Sequence, residues 1–169
     1  MSARLILLFG GIALAILGMA YGLWYAVFAE HQALDGIGQS LSSGFQAAAA
    51  RDSAAADQAL RQYREAKYAY DRQVDVHGHW IGLSMLLLIL AAGSDRLALA
   101  EKWKLRLAWM VLLGSALFPA GVLMQSWSHG VLPKALAILG SAMVIAGLAG
   151  IMRGLLRAPT ADAPTSTDA

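Results

Sequence analysis

The chain has 169 residues, 58% of them hydrophobic and only 14% charged, with a formal net charge of +2 and no cysteine. Soluble domains carry about 25% charged residues, so a chain this apolar, with a mean hydropathy of +0.55, cannot hide its surface in one water-soluble core. The missing thiols exclude disulfides, thiolate metal sites, covalent c-type haem and cysteine nucleophiles, and the sparse, scattered basic residues argue against a nucleic-acid partner.

The first apolar run covers residues 5–29. At about 1.5 Å per residue it is long enough to cross a ~30 Å hydrocarbon core. It is also longer than the roughly 7–15 residues of a signal-peptide core, so an uncleaved span is expected. A second span ends at Gly93. Counting back the ~20 residues that a span needs starts it near Val74, which puts His77 and His79 about one turn inside the membrane rim. The third and fourth spans are expected at 105–127 and 132–152. Only the string SHGVLP joins them, so they should be antiparallel neighbours.

The expected fold class is thus an all-α integral membrane protein, a four-helix transmembrane bundle with a long extracytoplasmic helical extension of the second span. The four-span domain covers residues 1–157. The Pro/Ala/Thr-rich tail, residues 158–169, is expected to be disordered. Arg4, Arg96, Lys102, Lys104, Arg106, Arg153 and Arg157 fall on one side of the membrane. Arg51, Arg61, Arg64, Lys67 and Arg72 on the other side are diluted among acids over residues 30–75, and Lys134 joins them there. The compact cluster at 96–106 is the stronger signal. It places both termini in the cytoplasm and the protein in the cytoplasmic membrane.

The outward segment divides in two. Residues 34–44, LDGIGQSLSSG, are rich in Gly and Ser and read as a flexible turn. Residues 45–77 contain strong helix formers and no proline or glycine, with Asp52 or Ser53 as the cap. A single helix over about 53–93 is expected. Leu60, Lys67, Val74, Ile81 and Leu88 share one heptad position, and Tyr63, Tyr70, His77, Ser84 and Ala91 share another. Something must cover Leu60, Tyr63, Tyr70 and Val74: residues 31–50, a second copy or a partner.

Small residues recur along the spans at Gly11, Ala15, Gly18 and Gly22, at Gly140, Gly147 and Gly154, and at Gly78 and Gly82. In lipid such positions let helices approach closely. Pro119 inside the third span predicts a kink. Trp24, Tyr25, Trp80 and Trp127 at one rim, and Trp103 and Trp109 at the other, read as an aromatic belt.

All four histidines, His31, His77, His79 and His129, fall at the outward rim. His77 and His79 are about 200° apart on a helix, so an unbroken helix cannot aim both at one ion. The bland expectation is four amphipathic rings at lipid headgroups. The sharper one is a cofactor site: haem b on His77 or His79 together with His129. A metal ion held by His31, Asp75, His79 and Met124 is a further candidate, with Asp75 and His79 at i,i+4 and the Met124 thioether as a soft ligand. HGHW, residues 77–80, is similar to His-x-His strings at the rim of haem-binding membrane helices in oxidase-like proteins, which would imply a haem. The likeness rests on four residues and assigns no family. No hydrolase, phosphate-loop or dinucleotide motif occurs, and no charge lies deep in a span as ion pumps require.

The leading functional expectation is a small multi-pass, non-enzymatic accessory or interaction subunit. Its partners would be the lipid bilayer and a second copy or another membrane protein. The alternatives are a haem- or metal-binding redox protein, or a small pore or carrier hinged at Pro119.

Overall fold

The computed structural model describes residues 2–128 and 130–157. His129 and the tail at 158–169 therefore lie outside the described residues. Those described form five α-helices and no strand: α1 (Ala3–Phe28), α2 (Glu30–Ala49), α3 (Ser53–Gly93), α4 (Glu101–Met124) and α5 (Val131–Leu156), with a short 3-10 turn at Ser94–Arg96. Four of them, α1, α3, α4 and α5, are long and apolar enough to cross a membrane. The all-α, four-span architecture is as expected.

Charge-free stretches mark the crossing. Residues 5–29, 76–94, 107–133 and 135–152 contain no Asp, Glu, Lys or Arg. Side-chain pairs then align the helix ends. On the side of the chain ends, here the terminal face, Arg4 meets Asp95 at 3.1 Å and Glu101 accepts from the Ala3 amide at 3.2 Å. On the opposite, hairpin face, the Tyr70 hydroxyl lies 3.5 Å from a Glu30 carboxylate oxygen, and the Tyr68 hydroxyl lies 3.3 Å from Gln125.

Small residues point inward and large ones outward. Gly11 lies against Leu87 and Leu88, and Gly18 against Trp80 and Ile81, so α1 and α3 close on a glycine seam. Phe9, Ile16 and Leu23, seven residues apart on the other face of α1, are exposed. α5 repeats the pattern. Gly140, Gly147 and Gly154 face Phe118, Val111 and Leu99, while Ile138, Ile145 and Met152 are exposed. These outward ridges suit lipid, and the glycine seams supply the close packing that drives association where the surroundings are already apolar. By contrast, Gly78 and Gly82 of α3 have nothing within 4 Å of a Cβ position. They belong to no seam among the described residues.

The hairpin differs from expectation. Residues 34–44 are not a flexible turn but lie inside the 20-residue helix α2. Gly44 faces Ala59, where a Cβ would still sit at 3.6 Å. The Ser40 hydroxyl donates to the Gly36 carbonyl one turn back, at 2.7 Å, which removes its competition with the helix. Gly44 thus sits at the helix–helix approach, whereas Gly36 and Gly38 have nothing within 4 Å of a Cβ position. The real turn is residues 50–52. Arg51 has φ 57°, the Asp52 amide donates to the Ala47 carbonyl and the Arg51 amide to Ala48. These are the bonds of a Schellman cap, with arginine where glycine is usual. Asp52 then caps α3, accepting from the Ala55 amide at 3.0 Å.

α3 runs unbroken from the hairpin through the bundle, but its register is turned from the expected stripe. Its buried residues are Ala59, Val76, Trp80, Ser84, Leu87 and Ala91. Ser84 and Ala91 therefore face the core, whereas Leu60 and Val74 are exposed. Tyr25 and Trp80, expected in the lipid-facing belt, turn inward and are buried. They meet other aromatic rings there instead of headgroups. α4 passes through Pro119, which is buried. It ends at Met124 and not Trp127, and residues 125–127 close in a tighter turn with i to i−3 amide bonds.

Candidate functional site

Two features of the hairpin side carry chemistry: the rim where α1, α3 and α4 meet, and the flank of the hairpin above it.

At the rim, α3 sends its two histidines to different neighbours. The His77 Nδ1 lies 2.9 Å from the Gly18 carbonyl oxygen. A carbonyl only accepts, so Nδ1 carries a proton and donates, and the second ring nitrogen, Nε2, is not engaged by this contact. Gly22 lies flat against the same ring, leaving no room for a Cβ. Gly22 thus leaves the room that the His77 ring occupies, and Gly18, one helical turn earlier, supplies the carbonyl it meets. His79 turns to α4, its ring centroid 4.6 Å from that of Phe118 at 44°. The split follows directly from two positions at about 100° per residue.

The other candidates are dispersed. His31 is exposed at the start of α2 and pairs with Asp35 at 3.6 Å. Asp75 pairs with Arg72 at 3.7 Å. Met124 is the last residue of α4. Among the described residues no three of His, Asp or Glu gather closely enough to hold a metal ion. His129, the expected second haem ligand, lies outside them.

Beside His77, Tyr25 and Trp80 of the expected belt and Tyr70 of the expected stripe join Tyr21, which neither pattern includes, in one aromatic layer. The Tyr21 ring packs edge-on to Trp80 at 5.5 Å and parallel to Tyr25 at 6.4 Å, and Tyr25 meets Tyr70 at 6.3 Å. The Tyr21 and Tyr25 hydroxyls and the Trp80 Nε1 are buried and have no hydrogen-bond partner among the described residues. The i,i+4 spacing of Tyr21 and Tyr25 was the available signal. It places both rings on one face of α1, the face that also carries Gly18 and Gly22.

Above the rim, α2 turns its small residues towards α3 and sets its large apolar residues to one side. Leu34, Leu41 and Phe45 are 46%, 41% and 73% exposed, and Leu60 of α3 beside them is 43% exposed. Leu41, Phe45, Leu60 and Tyr63 border an open apolar groove between the two helices, floored by Ala56 and Ala59. The hairpin's polar residues do not cover it. On α3 the Lys67 ammonium is held at 2.8 Å by Asp71, and Arg72 lies over the Tyr68 ring at 5.2 Å.

Compared with known proteins, the chain matches no family model, no curated protein and no solved structure.

Proposed function

We propose that the protein is a non-catalytic membrane subunit that associates through its extramembrane hairpin, with the hairpin outside the cytoplasmic membrane and both termini inside. The observation that carries this reading is the uncovered apolar flank of Leu34, Leu41, Phe45 and Leu60. These side chains belong to a hairpin whose α3 arm is charged throughout residues 52–75, which keeps it out of the hydrocarbon, and apolar patches on such a surface mark interaction sites. Leu34 and Leu41 are seven residues apart, the repeat with which one helix packs along another. The occupant is therefore an apolar helix face of a second copy or of another membrane protein. The orientation rests on the basic cluster at 96–106.

The chain has no cysteine, so single cysteines report without background. Phe45→Cys should give a defined cross-linked adduct in native membranes, and Ser42→Cys, on the polar outward face of α2, should not. The adduct's mass separates a homodimer from a complex with another protein. Monomer alone from Phe45→Cys, with bismaleimide linkers as well as by oxidation, would refute association through this flank.

A second reading is favoured by His77. Its Nδ1–H is donated to a backbone carbonyl, leaving Nε2 for coordination, and this is how a metal-bound histidine is commonly oriented. Under this reading His77 would be one axial ligand of a haem b. The purified protein would then show a Soret band that is lost in His77→Ala. A colourless, metal-free preparation from haem-replete cells would eliminate it.

A further inference from the structure

At the terminal face, α1, α3, α4 and α5 leave a cavity of about 160 Å³ between them. Its wall is apolar, built from Leu7 of α1, Leu90 and Gly93 of α3, Leu107 of α4 and Ile151 of α5. Ile89 and Leu155 also border it, and both are exposed on the outside of the bundle. The cavity therefore opens sideways, in the direction of the bilayer.

Its end is polar. Ser94 and Lys104 line this cavity and also an adjoining one bordered by Ser2, Arg4, Asp95 and Glu101. Of the charges there, Arg4 and Asp95 pair with each other at 3.1 Å, and Glu101 accepts from the Ala3 amide at 3.2 Å but has no ion pair among the described residues. Lys104 is half-buried, and among the described residues its ammonium has no ion pair or hydrogen bond. An apolar cavity that opens to lipid thus ends at one uncommitted cation, at the level where a span meets the headgroups.

We propose that this is a site for one anionic phospholipid. One acyl chain enters the apolar cavity, the second stays in the bilayer through the lateral opening, and Lys104 Nζ donates to the phosphate. The lateral opening favours a two-chain lipid over a free fatty acid. The unpaired ammonium favours an anionic headgroup, where no lipid cation competes for the phosphate.

Native mass spectrometry of the full chain in detergent tests this with three added probes: phosphatidylglycerol, phosphatidylcholine and oleate. The expected result is a phosphatidylglycerol adduct favoured over phosphatidylcholine by about five-fold, the ratio that one basic residue at a lipid surface supplies. Lys104→Gln should abolish the preference, and Lys102→Gln, exposed on the same turn, should keep it. Gly93→Leu should block both phospholipids. Gly93 lines the cavity and a Cβ there has nothing within 4 Å, so a leucine can be added beside the cavity without meeting backbone, and unchanged far-UV circular dichroism confirms that the variant is folded. Equal binding of the two phospholipids would overturn the proposal. So would a preference that survives Lys104→Gln, a folded Gly93→Leu that still binds, or oleate displacing phosphatidylglycerol at equal concentration.

Discussion

Replacing Gly140 by alanine should weaken the α4–α5 pair, whereas the same change at Gly82 should not. A Cβ on Gly140 would lie 2.7 Å from the Phe118 Cα and 2.9 Å from its Cβ. Carbon atoms prefer a separation of roughly 3.5–4.0 Å. The obstruction is α4 backbone, so no change of rotamer relieves it, and the helices must part by on the order of 1 Å. Two further close approaches belong to the same seam. A Cβ on Gly114 would lie 2.7 Å from the Gly140 carbonyl oxygen, and one on Gly121 would lie 2.9 Å from the Pro133 carbonyl oxygen. Parting at Gly140 therefore loosens contacts along the pair. Overpacking of this kind costs about 1–3 kcal/mol, and the alanine itself returns up to about 1 kcal/mol in helix propensity. Gly82 is also mid-helix, but nothing lies within 4 Å of its Cβ position, so it takes the gain without the cost. Comparing the two variants cancels propensity and isolates packing. Gly140→Ala should be the less stable by about 1–3 kcal/mol, measured by reversible unfolding in mixed micelles on SDS titration, followed by circular dichroism. Equal stabilities, or a more stable Gly140→Ala, would refute the close approach of α4 and α5.

Four other outcomes follow from contacts elsewhere in the fold. His77→Ala removes the hydrogen bond to the Gly18 carbonyl and should cost about 0.5–1.5 kcal/mol in the SDS titration. His31→Ala, at an exposed side chain, should stay within about 0.5 kcal/mol. Arg51→Gly relieves a left-handed backbone at φ 57° and should stabilise the hairpin by about 1 kcal/mol, read as slower amide exchange over residues 47–55. Exchange there that is unchanged or faster would contradict the cap assigned to residues 50–52. Asp52→Ala deletes the side-chain cap of α3 and should destabilise its first turn by about 1 kcal/mol. The expected readout is faster proteolysis in the 50–55 region with the membrane helices intact.

The spans are readable from sequence because the bilayer imposes a simple rule, that charge must stay out of the hydrocarbon. The charge-free stretch at 76–94 marks the part of α3 apolar enough to cross, and the Asp52 cap fixes where α3 begins. The hairpin is harder because its signals have two meanings. Gly36, Gly38, Ser40, Ser42, Ser43 and Gly44 have turn chemistry, yet a helix that lies close to another also needs a small residue at the point of contact, and here that residue is Gly44. Gly44 opposite Ala59 decides the matter, and that contact joins residues far apart in sequence. The actual turn hinges on Arg51, whose identity says nothing of a left-handed backbone. Lys67 carried a local warning about the register of α3. It shares a heptad position with Leu60 and Val74, and a buried stripe does not seat an ammonium. In the structure, Leu60 and Val74 are exposed with it.

The histidines show where span arithmetic stops. It brings all four to one rim, but a shared ligand also requires rings that face each other, and facing depends on the neighbour. An unbroken α3 separates His77 from His79 whatever surrounds it. That His77 meets α1 depends on Gly22 leaving room for the ring and Gly18 offering its carbonyl, and that His79 meets α4 depends on Phe118. The Gly18–Gly22 spacing was visible in the sequence as a packing motif. Its second consequence was not: a glycine seam at a membrane rim exposes backbone carbonyls to a neighbouring helix, and an imidazole is a side chain that fits there and can donate to them. Each ring is then committed on one edge by the fold. A cofactor at this rim would have to work with the Nε2 edge of His77, because its Nδ1 is already spent on Gly18.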